Sequence, residues 1–222
     1  MIIAEIGQNF IGDLELAKEL IRKAYGNGAD LVKFQLYDSK KIYDGYQETE
    51  LSKDQAFDFF NYGKKVGIEV FFSVFDEERV KWCEEIGVKR YKIATCRNHQ
   101  LRLIRSVVAT GKEFFISGTS SNRGVVPSNS NVVHLYCIAN YPAELRHFRF
   151  NQYEFPNEFR GLSDHSIGLD VAKIALSRGA KIIEKHFSLC YNMGIDGKWS
   201  MTPDDLKELK RFETVVREAL GS

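Results

Sequence analysis

A regular alternation of short apolar runs and longer amphipathic segments constrains this chain more than any other feature. Eight runs rich in Ile, Val and Phe are apolar almost throughout, as expected for parallel strands covered on both faces. Most of the segments between them begin at a capping residue and end at a glycine. The pattern predicts βα units around a parallel sheet. The predicted strands are residues 2–7, 30–37, 68–75, 90–95, 113–118, 131–137, 159–165 and 181–187.

The length of 222 residues decides how such units can be arranged. Eight strands, eight helices and their connections need roughly 190 residues. A TIM (β/α)8 barrel therefore fits as a single domain over 1–222, although a typical barrel has about 250 residues. Residues 119–131 are too rich in Gly, Pro, Ser and Asn for a helix. We expect a barrel trimmed at helix five, with an irregular helix six after Pro142.

Composition excludes several classes of function. The formal net charge of +1 argues against electrostatic binding to nucleic acid or to an anionic membrane. No apolar run approaches the roughly 18 residues of a membrane span, and the opening MIIAEIG lacks the features of a secretory signal. The 4 cysteines are far apart and form no CxxC pair, which is typical of free thiols in a cytoplasmic protein.

Charged side chains interrupt the apolar runs, mostly toward their carboxyl ends. Burying an ionisable group is costly, and barrel enzymes assemble their active sites at the carboxyl ends of the strands. A single such residue could be a salt-bridged strand end, but the repetition over several strands predicts an active site there. The interrupting residues are Glu5, Lys33, Lys92, Asp164, His165, Glu184, Lys185 and His186.

Two histidines fall on the last two predicted strands. Because residues i and i+2 of a strand share a face, His165 lies with Ser163 and His186 lies with Glu184. The imidazoles of adjacent strands are therefore expected to meet at the barrel mouth, where Asp196 could fold back over them. Neutral imidazoles suit a divalent transition metal. Packed core histidines are the alternative, and the pairing favours metal ligation.

Two lysines have a different predicted use. Lys33 shares a face with Gln35, and Lys92 lies two strands further along the chain. Two buried ammonium groups form a receptor for a small multiply charged anion, such as a phosphate with a carboxylate. One lysine alone could instead form a Schiff base with a carbonyl substrate. The hydroxyls expected beside the lysines are those of Thr95, Ser117 and Ser163.

Seven segments carry a recognisable pattern, namely EIGQN (5–9), LVKFQ (31–35), RYKIA (90–94), LYCIANYP (135–142), GLSDHSIG (161–168), IIEKHF (182–187) and GIDGKWSMTPDDLKEL (194–209). Together they resemble the barrel domain of sialic acid synthases, the N-acetylneuraminate-type nonulosonate synthases. The resemblance covers essentially the whole chain. It implies a TIM barrel that condenses phosphoenolpyruvate with an N-acetylmannosamine-like sugar, releases phosphate and uses Mn²⁺, Mg²⁺ or Co²⁺.

The resemblance also implies roles by position. His165 and His186 would be the metal ligands and Glu5 the catalytic acid or base near the sugar. Asp196 would contact the sugar or a water on the metal. Phosphoenolpyruvate binding would fall to Lys33, Lys92, Ser117 and Ser163. We expect further substrate contacts from Gln35, Thr95, Arg97, Asn140 and Tyr141.

Three motifs depart from the family pattern. Phe10 stands where EIGxNHxG has histidine, and FSVF (72–75) replaces FSTPF, so that Val74 removes a hydroxyl that faces phosphoenolpyruvate. The pattern YKIxSxE ends with Arg97 in place of an acid. We expect Phe10 and Arg97 to lie on the sugar side. No C-terminal antifreeze-like domain is expected in this sequence; that domain supplies a sugar-binding arginine, and Arg97 could replace it or bind an acidic acceptor.

Three functions remain open from sequence. The first is a phosphoenolpyruvate-dependent synthase with an N-acetylmannosamine-like or altered acceptor. The second is a barrel that binds phosphoenolpyruvate or another anion without turnover, or together with a partner protein. The third is a metal-dependent aldolase or lyase on the same scaffold. Aromatic side chains among residues 148–159 predict an exposed surface for a homodimer.

Overall fold

Eight parallel strands close into a barrel in chain order, which confirms the predicted fold class. The computed structural model describes residues 1–43, 45, 47–122, 124–127 and 130–221. All eight predicted runs form strands. These are β1 (Ile2–Gly7), β2 (Leu31–Leu36), β3 (Glu69–Val74), β4 (Arg90–Ile93), β5 (Glu113–Gly118), β6 (Val132–Cys137), β7 (Gly161–Asp164) and β8 (Ile182–His186).

The predicted amphipathic segments form helices outside the barrel. Local signals set their ends: Ser52 caps α3 within a capping box, and Gly67 ends it in the left-handed conformation. A one-turn helix after β2 was not expected from the sequence. The helices are α1 (Leu14–Gly26), α2 (Ser39–Ile42), α3 (Lys53–Val66), α4 (Glu77–Ile86), α5 (Leu101–Ala109), α6 (Asp170–Ser177) and α7 (Pro203–Leu220). In the described ranges, none of them is long and apolar enough to cross a membrane.

The wall of the barrel between β5 and β7 lacks regular helices, as predicted. The described part of residues 119–131 contains no helix, and only two 3₁₀ turns, Leu145–His147 and Phe150–Gln152, lie between β6 and β7. Aromatic side chains fill the space. The Tyr136 ring of β6 lies 4.3 Å from that of Tyr153 and 5.5 Å from that of Phe159.

These aromatic residues correct one expectation. They are buried or half-buried against the barrel rather than exposed, because they occupy the place of a helix. They therefore give no support to a homodimer surface at this position, and the homodimer stays a prediction.

The barrel interior is divided into an apolar floor and a polar layer. Side chains of the floor are buried, and the Phe71 and Phe115 rings pack 5.7 Å apart. Because strand side chains alternate, the residues two positions further along also point inward but are mostly polar. The floor thus fills the amino-terminal half of the barrel interior, and a cavity forms at the carboxyl ends of the strands. The floor residues are Ile3, Leu31, Phe71, Phe115, Leu135 and Ile182.

Candidate active site

A cavity of about 350 Å³ opens at the carboxyl ends of the strands. Ten of the thirteen side chains predicted from sequence line it, although they come from five strands and four loops. The prediction that charged strand ends share one site is therefore confirmed in geometry. The ten are Glu5, Lys33, Gln35, Lys92, Thr95, Tyr141, Ser163, His165, His186 and Asp196.

Three predicted residues lie outside the cavity wall. The Arg97 guanidinium lies 5.4 Å from the Phe75 ring, where a cation–π contact holds it. The Asn140 amide is exposed and donates a hydrogen bond to Nδ1 of His147 at 3.3 Å. Ser117 is buried on β5, where Asn98 donates to its carbonyl oxygen at 2.9 Å. Their substrate contacts stay predictions that this geometry does not support.

Two lysines and two glutamates form a buried charge cluster at the base of the cavity. The Lys33 ammonium contacts the Glu5 carboxylate and donates to Oγ of Ser73 at 2.6 Å. The Lys92 ammonium donates to Oε1 of Glu184 at 2.9 Å. Lys33 also lies 3.8 Å from Oε2 of Glu184. The two predicted lysines therefore lie together, each paired with an internal carboxylate, and their anion-binding role stays a prediction.

The environment of this cluster controls its protonation. Burial raises the pKa of Glu184, but Lys33, Lys92 and the Ser163 hydroxyl, which donates at 2.7 Å, overcome that effect and bring the pKa to about 2. Burial lowers the pKa of Lys33, and the negative charge of Glu184 opposes the shift. Glu184 is thus an anion at neutral pH and is held between the two lysines.

The two histidines meet at the mouth, as the strand parity predicts. Their ring centroids are 5.6 Å apart. The His165 Nδ1 donates to the carbonyl oxygen of Ile138 at 3.1 Å and lies 3.7 Å from Sγ of Cys137. Burial, and then the charge of Lys33, lower the pKa of His186 to about 3. His186 is therefore a neutral imidazole at physiological pH.

A cavity of this composition on an eight-stranded barrel agrees with the comparisons with known proteins. The NeuB family model matches residues 38–222. The chain belongs to the NeuB family. It is 32% identical to N-acetylneuraminate-9-phosphate synthase of Homo sapiens, covering 100% of this chain and 71% of that protein. It is 30% identical to N,N'-diacetyllegionaminic acid synthase of Campylobacter jejuni, covering 100% and 77%.

A solved structure shows the same architecture. The N-acetylneuraminic acid (sialic acid) synthetase of Leptospira borgpetersenii in complex with citrate superposes on this NeuB-family chain with a TM-score of 0.91 at 28% identity. The match covers 100% of this chain and 85% of that one. The resemblance to sialic acid synthases is confirmed across the whole chain, and relatives of this chain are synthases of nonulosonic acids.

The histidine pair is suited to the metal that the NeuB resemblance implies. Nδ1 of His186 is buried and accepts no hydrogen bond in the described part of the chain, and it lies 3.3 Å from Oδ2 of Asp196. A neutral imidazole nitrogen that accepts no hydrogen bond is able to bind a metal ion. The described residues do not bring three His, Cys, Asp or Glu side chains together as a finished site. Metal binding by His165 and His186 therefore stays a prediction.

The loop after β8 brings Asp196 to the mouth through Asn9 of the first motif. Nδ2 of Asn9 donates to the carbonyl oxygen of Phe187 at 3.0 Å, and its Oδ1 accepts from the Asp196 amide at 3.2 Å. Gly194 has φ +68°, and a Cβ there would lie 2.5 Å from the same Oδ1. Burial raises the pKa of Asp196 to about 6, although His165 and Lys33 oppose the shift.

Sequence reasoning missed several residues of the cavity wall. Ser73 and Cys137 could have been found, because each lies two positions beyond an apolar residue of the floor. A second group comes from loops, where no periodicity marks the inward face. There Nε2 of Gln8 donates to the hydroxyls of Tyr37 and Tyr43, both at 3.1 Å, and the three side chains line one side of the cavity.

Two departures from the family pattern lie away from the cavity. The Phe10 ring is buried 5.9 Å from the Phe34 ring and 6.2 Å from the Phe59 ring, between the barrel and α3. The Val74 side chain also packs in the apolar core between the barrel and the surrounding helices. The expectation that Phe10 lies on the sugar side was wrong, because its side chain points toward the helices. On β3, the side chain that faces the cavity is that of the neighbouring Ser73, whose hydroxyl accepts a hydrogen bond from Lys33.

Proposed function

We propose that this chain condenses phosphoenolpyruvate with an aldose of the N-acetylmannosamine type to give a nonulosonic 2-keto acid and phosphate. The observation that carries the proposal is the presence of two buried lysines and a facing histidine pair in one cavity. Lysines supply charge for the phosphate and carboxylate, and the histidines mark the place of the sugar aldehyde. Membership of the NeuB family supports the same reaction class.

The reaction balances with one water. C3 of phosphoenolpyruvate forms a bond to the aldehyde carbon, the aldehyde oxygen takes up a proton, water adds at C2, and the C2–O bond to phosphate breaks. A bound divalent ion such as Mn²⁺, Mg²⁺ or Co²⁺, held by His165 and His186, would supply Lewis-acid polarisation of the aldehyde. The remaining tasks of binding, orientation and proton transfer fall to side chains of the cavity.

Lys33 and Lys92 would hold the anionic substrate. Its phosphate and carboxylate would replace Glu5 and Glu184 as the partners of the two ammonium groups, with Ser73 and nearby hydroxyls as further donors. Charge-assisted hydrogen bonds of this kind are worth about 1.5–3 kcal/mol each. Fixed donors on β2 and β4 would hold the substrate in one orientation, with C3 toward the mouth, where the second substrate enters.

Two carboxyl groups are suited to proton transfer. Asp196 lies at the mouth, and its pKa of about 6 allows it to hold a proton close to neutral pH and give it to the aldehyde oxygen. Glu5 contacts Lys33 at the same end of β1 and would act as acid or base beside the sugar. In the loop after β1, the side-chain oxygen of Gln8 is left to accept from a sugar hydroxyl, since its side-chain N–H groups bind Tyr37 and Tyr43.

Phosphate release tests the proposal. The purified protein is incubated with phosphoenolpyruvate, Mn²⁺ and a panel of aldoses that begins with N-acetylmannosamine. Phosphate should appear only when all three are present, and His186→Ala should abolish it together with metal binding. Phosphoenolpyruvate binding by calorimetry without phosphate release across the panel would identify a binding protein instead. Pyruvate released from a 2-keto acid without phosphate would identify an aldolase or lyase.

A further inference from the structure

Asp164 and Lys185 form an ion pair that has no exposed side-chain surface. Nζ of Lys185 lies 2.9 Å from Oδ2 of Asp164, and both side chains are 0% exposed. The two residues are register partners on β7 and β8. Each stands immediately before a histidine of the mouth, His165 just after the end of β7 and His186 at the end of β8. The ion pair therefore joins β7 and β8 one residue before the histidine pair.

The remaining bonds of the ion pair fix the backbone on the far side of His165. Nζ of Lys185 donates to the carbonyl oxygen of Ser166 at 2.6 Å. Oδ1 of Asp164 accepts from the Ser166 amide at 2.8 Å and from its hydroxyl at 2.7 Å. His165 is thus held between two residues that are tied to each other and to β8.

A buried ion pair is a costly way to join two strands. The desolvation of both charges commonly exceeds their attraction, so an apolar pair of similar volume stabilises a fold as well or better. Asp164 and Lys185 lie in the wall of the cavity, but their charged groups bind each other and Ser166 rather than facing an open position. Their directional bonds, unlike apolar contacts, set a particular separation and orientation of the neighbouring side chains.

We propose that Asp164 and Lys185 are positioning residues that hold the His165 and His186 imidazoles at the separation required to bind a divalent ion. The inference rests on the proposed function only in taking these imidazoles as the metal ligands. Loosening the pair lets the two rings move independently, so ion affinity falls even when the barrel stays folded.

The test measures binding of Mn²⁺ alone, by electron paramagnetic resonance of free Mn²⁺, together with thermal unfolding. Asp164→Asn and Lys185→Met should each raise the dissociation constant of Mn²⁺ by about tenfold or more, the usual effect of losing a residue that orients a metal ligand. The double variant should cost no more than either single one, because the two residues act as a unit. Lys173→Met is the matched control, since its ion pair with Glu208 joins two helices at the surface.

Each result supports or overturns the inference. Folded variants that bind Mn²⁺ as the unmodified protein does would overturn it, whatever their melting temperature. If either variant fails to fold, Ser166→Ala decides, because it removes only the hydroxyl bond to Asp164 and should weaken Mn²⁺ binding by about two- to fivefold; an unchanged constant overturns the inference. His186→Ala is measured beside them. If that variant binds Mn²⁺ normally, the proposed metal site itself has failed.

Discussion

Lys92 and Glu184 bridge the barrel from opposite sides. Nζ of Lys92, on β4, lies 2.9 Å from Oε1 of Glu184, on β8, and neither side chain is more than 5% exposed. The two strands lie four places apart in an eight-stranded ring, so this bond spans its interior. An ammonium group held in this way is already oriented before any substrate arrives.

Replacing Lys92 with methionine should weaken phosphoenolpyruvate binding at least tenfold. The change removes a charge-assisted bond worth about 1.5–3 kcal/mol while keeping most of the side-chain volume. Calorimetry with phosphoenolpyruvate measures the effect. Lys112→Met is the control, because Lys112 pairs with the exposed Glu84 at the opposite end of the barrel. Equal affinities of the Lys92 variant and the unmodified protein would remove Lys92 from the anion site.

Ser73→Ala should weaken the same binding by about two- to tenfold, as expected for one ordinary hydrogen bond. The Ser73 hydroxyl accepts from Nζ of Lys33 at 2.6 Å and fixes where that ammonium points. The dissociation constant of phosphoenolpyruvate is again the quantity measured. Ser177→Ala, an exposed position on α6, should leave it unchanged. A Ser73 variant of full affinity would show that Glu5 alone orients Lys33.

Phe10→His, which restores the residue of the family pattern, should destabilise the protein rather than change its substrate. The imidazole would be buried between Phe34 and Phe59, and an unpaired polar group costs about 1–3 kcal/mol there. Urea unfolding measures the loss. Phe57→His on the exposed face of α3 should cost much less. A stable Phe10 variant with an altered acceptor would place this side chain in the cavity after all.

Glu213→Gln should lower stability at neutral pH but not in acid. Burial raises the pKa of Glu213, yet Lys210, 2.9 Å away, and the Met1 ammonium bring it below its usual range. A carboxylate whose pKa is lower in the folded state than in the unfolded state stabilises the fold at any pH above the unfolded-state pKa. That stability is lost as the pH falls through the folded-state pKa. The variant should unfold about 1–3 kcal/mol more easily at pH 7. Unfolding curves should converge below about pH 4, and a gap constant with pH would contradict this account.

Regular periodicity made much of this molecule predictable. Strand alternation placed Lys33, Lys92 and both histidines on inward faces, because a period of two leaves one choice of face once the apolar floor is known. Ser117 satisfied the same rule but is covered, since the turn at Thr95–Arg97 packs over β5. Loop geometry follows no period, so the contribution of Gln8 and the exclusion of Arg97 from the cavity could not be derived from spacing.

The thin side of the barrel and the charged side of the cavity belong to different strands of the described chain. In the described chain, no charged side chain from β5 or β6 lines the cavity, and these are the strands whose helices are reduced to turns packed around Tyr136. Insertions or deletions in this wall would leave the charged side chains of the cavity in place, because those come from other strands and the loops that follow them. A shortened wall and a charged cavity are therefore compatible in this fold, because they lie in different sectors of the ring.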